Sequence, residues 1–340
     1  MAVASGLLGP GPGFTPATCC QLFYVLATAT TLAAAGTPES LRRLFMPYGA
    51  RSSSSPLSSS RAKKGEEGEA GGEGRLLRAV SWATSASQVP HSWFRHFYVL
   101  SLSGSAFWAV QFLCRGRALE FVVEHEAKTG RPSMSVSQVI LVWFLMSLQG
   151  ARRLYESVVL VRPSPSKMWV IHWLLGLAFY LCMSVSIWVE GSGKCYSGVL
   201  FVGILINNRV GSIQASDPWS FNIKTLPFNA IIGVPLFLAS SFTQYRCHSY
   251  LFRLKKYSLP EDGLFAYLVC PHYTCECVLY LVLATVAAPT GQLYNRTLAC
   301  ASLFVFVNLG VTAHGTKRWY GEKFGREKVL RKWRMIPGLL

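Results

Sequence analysis

Residues 168–189 read MWVIHWLLGLAFYLCMSVSIWV, 22 mostly apolar residues in a row. A helix needs about 20 such residues to cross the hydrocarbon core of a bilayer. The segment therefore predicts a membrane span, and the chain on either side repeats the pattern. Toward the N-terminus lie Thr18–Ala35, Trp93–Cys114 and Val136–Val161; toward the C-terminus lie Phe228–Tyr245, Leu264–Ala288 and Leu298–Ala313. No basic region precedes Thr18, which favours a retained span over a cleaved signal peptide. Gly198–Ile206 is apolar but too short to span, and reads as an interfacial or re-entrant segment.

Composition agrees. Of 340 residues, 51% belong to the AVILMFWYC set and 14% are charged, with a mean hydropathy of +0.31. An ordinary soluble domain carries about 25% charged residues. A soluble fold of this size has too little interior to hide so much apolar surface, and a disordered chain shows the opposite balance. The expected fold is an all-α integral membrane protein, with about seven transmembrane helices around a cavity open to the cytosol.

The net charge is +17. Lys and Arg gather in alternate loops, as in a multi-pass membrane protein, rather than on one soluble face as in a nucleic-acid binder. With a lumenal N-terminus, the cytoplasmic segments hold 22 Lys and Arg against 8 in the lumenal ones. The positive-inside rule then places the C-terminus in the cytoplasm. Four regions result: 1–36, the lumenal N-terminus and first span; 37–92, a cytoplasmic loop; 93–227, spans two to four with a lumenal loop; and 228–340, a C-terminal unit with a basic tail. The Ser-rich then Gly/Glu-rich run at 51–75 cannot bury enough apolar surface to order itself. Nine of the ten cysteines lie in or beside apolar stretches, where Cys behaves as a small hydrophobe. Cys195 sits in a polar loop without an obvious partner. The sequon Asn295-Arg296-Thr297 falls on the lumenal side, close to the bilayer.

Polar residues within spans are costly, so each is a functional candidate. Five clusters fall on the cytoplasmic side: His91, Arg95, His96 and Tyr98; Arg152, Arg153, Tyr155 and Glu156; Gln244, Tyr245, Arg246 and His248; His272, Tyr273 and Glu276; and His314, Lys317, Arg318, Trp319 and Tyr320. Together they suggest one cavity whose cations suit a phosphate-bearing soluble cofactor. Plainer readings stand beside this one. Arg152 and Arg153 could snorkel to the interface. His272 and Glu276, four apart, could simply pair along a helix. The basic tail could be a lipid-surface patch. Cys270, His272, Cys275 and Cys277 match no standard zinc spacing, so no metal is expected. No Gly-x-Gly-x-x-Gly follows a strand, so no Rossmann fold supplies the cofactor site.

The residues also carry a resemblance. Leu264–Glu276, ending in Tyr280, resembles the signature of the steroid 5α-reductase family. Trp319-Tyr320-x-x-Lys323-Phe324 followed by Met335-Ile336-Pro337 resembles that family's C-terminal motif, and Gln244–His248 with Leu254–Lys256 is similar to its cofactor loop. Upstream, Leu41–Gly49, Phe94–Tyr98 and Arg152–Glu156 are similar to the polyprenol reductase branch. The resemblance implies an NADPH-dependent reductase of the endoplasmic reticulum membrane that saturates a carbon–carbon double bond. In the polyprenol branch the substrate is a long-chain polyprenoid lipid, the bond is that of the α-isoprene unit, and the product line is dolichol, which supports N-glycosylation. It implies cofactor contacts at Gln244, His248, Lys255, His272 and Tyr320, with His314 or Lys317 beside them, and Glu276 and Tyr320 match the family outright; Arg153 joins the cofactor candidates as a cation of the cluster, and His96, Tyr98, Glu276 and Tyr320 are the catalytic candidates. The chain departs from the family at the His usually found three or four residues before the tail Tyr. Here Thr316 and Lys317 hold those places and His314 stands six before, so either Lys317 or His314 takes the role.

Chemistry sharpens the substrate. Hydride adds readily to an electron-poor alkene. An isolated allylic alcohol has nowhere to place the developing charge, whereas a conjugated enal moves it to oxygen, where a donor stabilises it. The immediate substrate is therefore expected to be polyprenal, or an alcohol oxidised first, with Tyr98 or His96 polarising the carbonyl. The alternatives are a 3-oxo-steroid or another enoyl lipid as substrate and, in another class, a membrane transporter. Paired broken helices or internal repeats would favour the transporter, and the sequence shows neither.

Overall fold

The computed structural model describes residues 14–39, 42, 72–161, 165–190, 226–255 and 258–339. Gly198–Ile206, Cys195, Leu41 and the rest of its motif to Gly49, and most of 51–75 lie outside them. In chain order the helices are α1 (Pro16–Gly36), α2 (Gly72–Ala86), α3 (Arg95–Leu113), α4 (Arg117–Ala127), α5 (Val136–Tyr155), α6 (Val170–Val189), α7 (Phe228–Arg253), α8 (Pro271–Val286), α9 (Arg296–Phe324) and α10 (Glu327–Leu330). Residues 72–75, expected to be unordered, open α2 instead.

Each of the seven apolar stretches holds one long helix, but the boundaries move for local reasons. The sixth starts at Pro271 rather than Leu264, because proline suits the first helical turn, where its missing N–H is not needed. A short 3-10 turn, Gly263–Ala266, takes up the residues before it. The seventh runs eleven residues past Ala313, carrying His314 to Phe324 on continuous helix. Asn295 starts it by accepting from Leu298 N at 2.9 Å. The fifth similarly extends to Arg253.

The long helices alternate in direction between two ends of one bundle. At the first end, Ala17 N donates to Glu126 (2.8 Å), Met134 N to the Glu190 carbonyl (2.9 Å) and Asn295 N to the Ala284 carbonyl (2.8 Å). Ser135 and Gln138 form a reciprocal capping box on α5, and the Gln138 amide also donates to the carbonyls of Val286 and Ala288 at the end of α8. At the second end, a two-stranded antiparallel ladder joins the starts of α3 and α6. β1 (Gln88–Pro90) pairs with β2 (Lys167–Trp169), with Val89 opposite Met168. This small sheet and an isolated bridge between Leu268 and Trp333 are the departures from an all-helical fold among the described residues.

Side packing is close. The tip of the Phe97 ring of α3 presses on Gly176 of α6, where a Cβ would meet it at 2.5 Å. The main core draws on α1, α3, α5, α6, α8 and α9 through Tyr24, Trp108, Leu145, Phe179, Met183, Leu283 and Leu298. Outward faces stay apolar: Leu26 and Leu32 of α1, Ile171 and Leu181 of α6, and Ile231 and Phe242 of α7 are exposed. Such faces suit lipid rather than water. Three helices, α1, α6 and α9, are long and apolar enough to cross a membrane, and a fourth span results if α3 and α4, bent by 81°, count as one. α5 carries Arg152 and Arg153, and α8 has 16 residues, which removes both from a test by length and composition.

Candidate active site

The second end of the bundle holds a buried polar cluster built from α3, α5, α7 and α8. Its centre is Glu156, fully buried at the start of a π-helical turn, Glu156–Leu160, that follows α5. π turns recur at functional sites because they re-aim a side chain without breaking the helix. Arg152 and Arg153, one turn back, both donate to Glu156. Arg152 thus points inward and does not snorkel: it also donates to Ser241 Oγ (3.0 Å), Gln149 Oε1 (3.0 Å) and Gln244 Oε1. An ion pair this deep is costly unless further hydrogen bonds support it, and Ser241, Gln149 and Gln244 supply them to Arg152.

Arg153 reaches the other way. Its guanidinium donates to the Tyr98 hydroxyl at 2.5 Å and lies 4.9 Å from that ring. His248 Nδ1 is 2.8 Å from both Arg153 Nη1 and Glu156 Oε2. A single ring nitrogen serves one of these at a time: as N–H it donates to Glu156, and as a lone pair it accepts from Arg153. Glu276 of α8 takes hydrogen bonds from the amides of Gln244 and, at 3.5 Å, Gln149. The His272 ring stacks edge-on to His248 at 5.3 Å, and its carbonyl accepts from Gln244 at 3.1 Å.

Of the residues expected at the site, the structure brings together Tyr98, Arg153, Gln244, His248, His272 and Glu276. His96 points elsewhere, between Trp93 (5.4 Å) and Trp173 (6.1 Å). Lys255 and His314 are exposed. Lys317 is held by the tail, donating to the carbonyls of Lys332 (2.6 Å) and Leu330 (3.3 Å). Tyr320 is buried in a second, smaller core with Val269, Cys270 and Met335, flanked by Trp319 and Phe324. That core docks the C-terminal tail onto the start of α8. Val269 N donates to the Trp333 carbonyl (2.8 Å), Cys270 N to the Arg334 carbonyl (2.9 Å), and Thr274 Oγ1 to the Met335 carbonyl. Lys332 Nζ closes the same arrangement on the Pro260 carbonyl (3.1 Å), and burial lowers this amine below the usual lysine range.

Sequence reading missed Gln149 and Ser241, which fill out the cluster, and Tyr180, whose ring lies 5.8 Å from Tyr98. A helical-face count would have found the first: Gln149, Arg152, Arg153 and Glu156 fall at i, i+3, i+4 and i+7, one stripe of a helix. No group of His, Cys, Asp and Glu among the described residues has metal-holding geometry.

A membrane-type helical bundle with a buried Arg–Glu–Tyr–His cluster and a docked basic tail defines a class that comparison makes specific. Residues 199–340 match the family model described as 3-oxo-5-alpha-steroid 4-dehydrogenase. In this segment the chain is similar to the steroid 5α-reductase family, and the match together with the relatives below indicates a reductase acting on carbon–carbon double bonds, which sets the transporter alternative aside. The wider chain is similar to polyprenal reductases. That of Drosophila melanogaster is 26% identical over 77% of this chain and 78% of its own length. That of Saccharomyces cerevisiae is 31% identical over 59% and 64%. Polyprenal reductase 1 of Arabidopsis thaliana is 28% identical over 74% and 81%.

Proposed function

We propose that the chain is an NADPH-dependent polyprenal reductase that saturates the α-isoprene double bond on the way to dolichol, and so supports N-glycosylation. Seven spans would hold it in the endoplasmic reticulum membrane, with the polar end of the bundle and the C-terminus facing the cytosol. The exposed cations Arg246, Arg253 and Lys255 and, in the tail, Arg326, Lys328 and Arg331 lie at the same end as the Arg–Glu cluster, which supports the orientation.

One observation carries the reading: the Tyr98 hydroxyl accepts its hydrogen bond from Arg153. Its own proton is then left to donate to a ligand oxygen. A phenol so placed is what the aldehyde oxygen of an enal requires as charge develops on it. His96, the other candidate donor, sits with the tryptophans and is set aside for this role. Glu156 pairs with both Arg152 and Arg153, which keeps Arg153 directed at Tyr98 rather than at solvent. Phe94 and Tyr180 wall the Tyr98 ring at 5.7 and 5.8 Å and exclude water from it.

The donor set fits a dinucleotide phosphate. Arg246, Arg253 and Lys255 at the end of α7, with Arg326, Lys328 and Arg331 in the tail, are exposed cations at the same end, and none is in an ion pair among the described residues. These would hold the phosphates, with His272 and Glu276 nearer the reacting ring. When bound, NADPH supplies the hydride that the β-carbon of the enal accepts. The phenol of Tyr98 stays on the oxygen while the α-carbon takes its proton from water or a second acid.

The test is turnover by purified protein with NADPH, polyprenal and polyprenol being offered separately. The reading expects the aldehyde to be consumed and the alcohol left. Equal reduction of polyprenol, with no aldehyde formed, would overturn it. Reduction of a 3-oxo-steroid in preference to both would move the chain to the activity its family model describes.

A further inference from the structure

Arg152 and Glu276 carry opposite charges in one buried cluster, yet they do not pair. Arg152 is engaged with Glu156, and Glu276 is in no ion pair among the described residues. Between them stand two amides. Gln244 Oε1 accepts from Arg152 and from Gln149 Nε2 (2.9 Å), while its Nε2 donates to Glu276 Oε2 and to the His272 carbonyl (3.1 Å). Gln149 Oε1 accepts from Arg152 (3.0 Å) and Ser241 Oγ (3.1 Å), while its Nε2 donates to Gln244 and, at 3.5 Å, to Glu276 Oε2.

A side-chain amide has two lone pairs and two N–H bonds. Both glutamines use all four, and both are buried. Each turns its oxygen to the guanidinium and its nitrogen to the carboxylate, and a flipped amide would set N–H against N–H. The saturated amides also leave no valence for a ligand, so Gln244, expected to contact cofactor, does so only by giving up a bond inside the cluster. Glu276 Oε1, by contrast, takes no hydrogen bond from any described residue.

We propose that Gln149 and Gln244 are positioning residues. They form an amide layer that keeps Glu276 out of guanidinium pairing and leaves one of its oxygens for a hydrogen-bond donor on the reactants. This rests on the polyprenal reductase reading for its assay. Without the layer, Arg152 turns to Glu276, and the carboxylate is lost to the reaction while the bundle stays folded.

A double-mutant cycle in the full-length protein, with NADPH and polyprenal, tests this. Gln149→Leu is expected to lower kcat about tenfold, the scale of one buried hydrogen bond, with KM within about twofold. Glu276→Gln lowers it as well. The double variant is expected to be no worse than the poorer single one, because Gln149 acts only through the charge of Glu276. Losses that multiply, or a Gln149→Leu variant within about twofold of wild type, would overturn the proposal; a merely structural role predicts the first. If Gln149→Leu does not fold, Ser241→Ala takes its place in the cycle with the same outcomes, since it removes a partner from both Gln149 and Arg152. If wild type does not reduce polyprenal, the functional reading fails by itself. The coupling is then read from NADPH affinity by tryptophan fluorescence, where the same non-additivity is expected and additivity overturns it.

Discussion

The two ends of the bundle both bury carboxylates, and they neutralise them by different means. At one end Glu156 sits between two guanidiniums and a histidine, inside a cluster drawn from four helices. At the other, Glu190 accepts from the backbone N–H groups of Arg296 (3.1 Å) and Thr297 (2.9 Å), from Thr297 Oγ1 (2.6 Å) and from Gln21 (3.3 Å), and so caps the start of α9. Glu126 does the same for α1 through Ala17 N. A helix N-terminus offers partial positive charge and open N–H groups at no cost in buried cations. The far end therefore fastens helices. The Arg–Glu end is a more expensive way to place charge, and it aims a guanidinium at a phenol. The difference separates scaffold from the proposed site.

Substitutions that break one end and spare the other test this division. The largest effect is expected from Arg153→Met, which strands Glu156 short of a partner. Breaking a buried pair costs about 3–5 kcal/mol, so thermal melting of the purified protein should fall sharply and turnover should vanish with it. Glu190→Gln should cost about 1 kcal/mol, the scale of a helix-terminus charge and its hydrogen bonds. Its turnover of polyprenal should stay within about twofold of wild type; a large loss of rate at unchanged melting would erase the distinction between the ends. Asn295→Ala removes an N-cap and should cost about 1 kcal/mol or less. Asn295 is fully buried as that cap, so although it heads a sequon it should carry no glycan, and glycosidase treatment of wild type should leave gel mobility unchanged.

How much of this was legible in the chain follows from the range of each interaction. The long helices were, because an apolar run of bilayer length is a local property. Their ends were not, because Pro271 and Asn295 set boundaries by capping inside otherwise apolar sequence. The amphipathic α4 was missed, being short and turned 81° from α3 at a break where Arg115 adopts a left-handed φ of 49°. Within the site, Tyr98, Arg153, His248 and Glu276 could be named because charge inside a span stands out. His96 was paired with Tyr98 by proximity in sequence, but residues two apart on a helix face opposite sides. Gln149 and Ser241 raised no signal: a neutral amide or hydroxyl in a helix gains meaning only when α7 and α8 bring Arg152 and Glu276 to it. Tyr320 and Lys317 belong to motifs that the tail uses for docking, a role set by contacts more than ten residues away.

The most direct test of the account is the turnover number of Tyr98→Phe on polyprenal, measured at saturating NADPH beside wild type. Removing one preorganised donor from a developing oxyanion typically costs 10²–10³ in rate. The account predicts a loss of about a hundredfold with NADPH affinity unchanged, since Phe keeps the ring between Phe94 and Tyr180, and a fall in stability no larger than about 1–3 kcal/mol, the cost of one buried donor left without its acceptor. A rate within about twofold of wild type would contradict it and place the electrophile elsewhere in the protein.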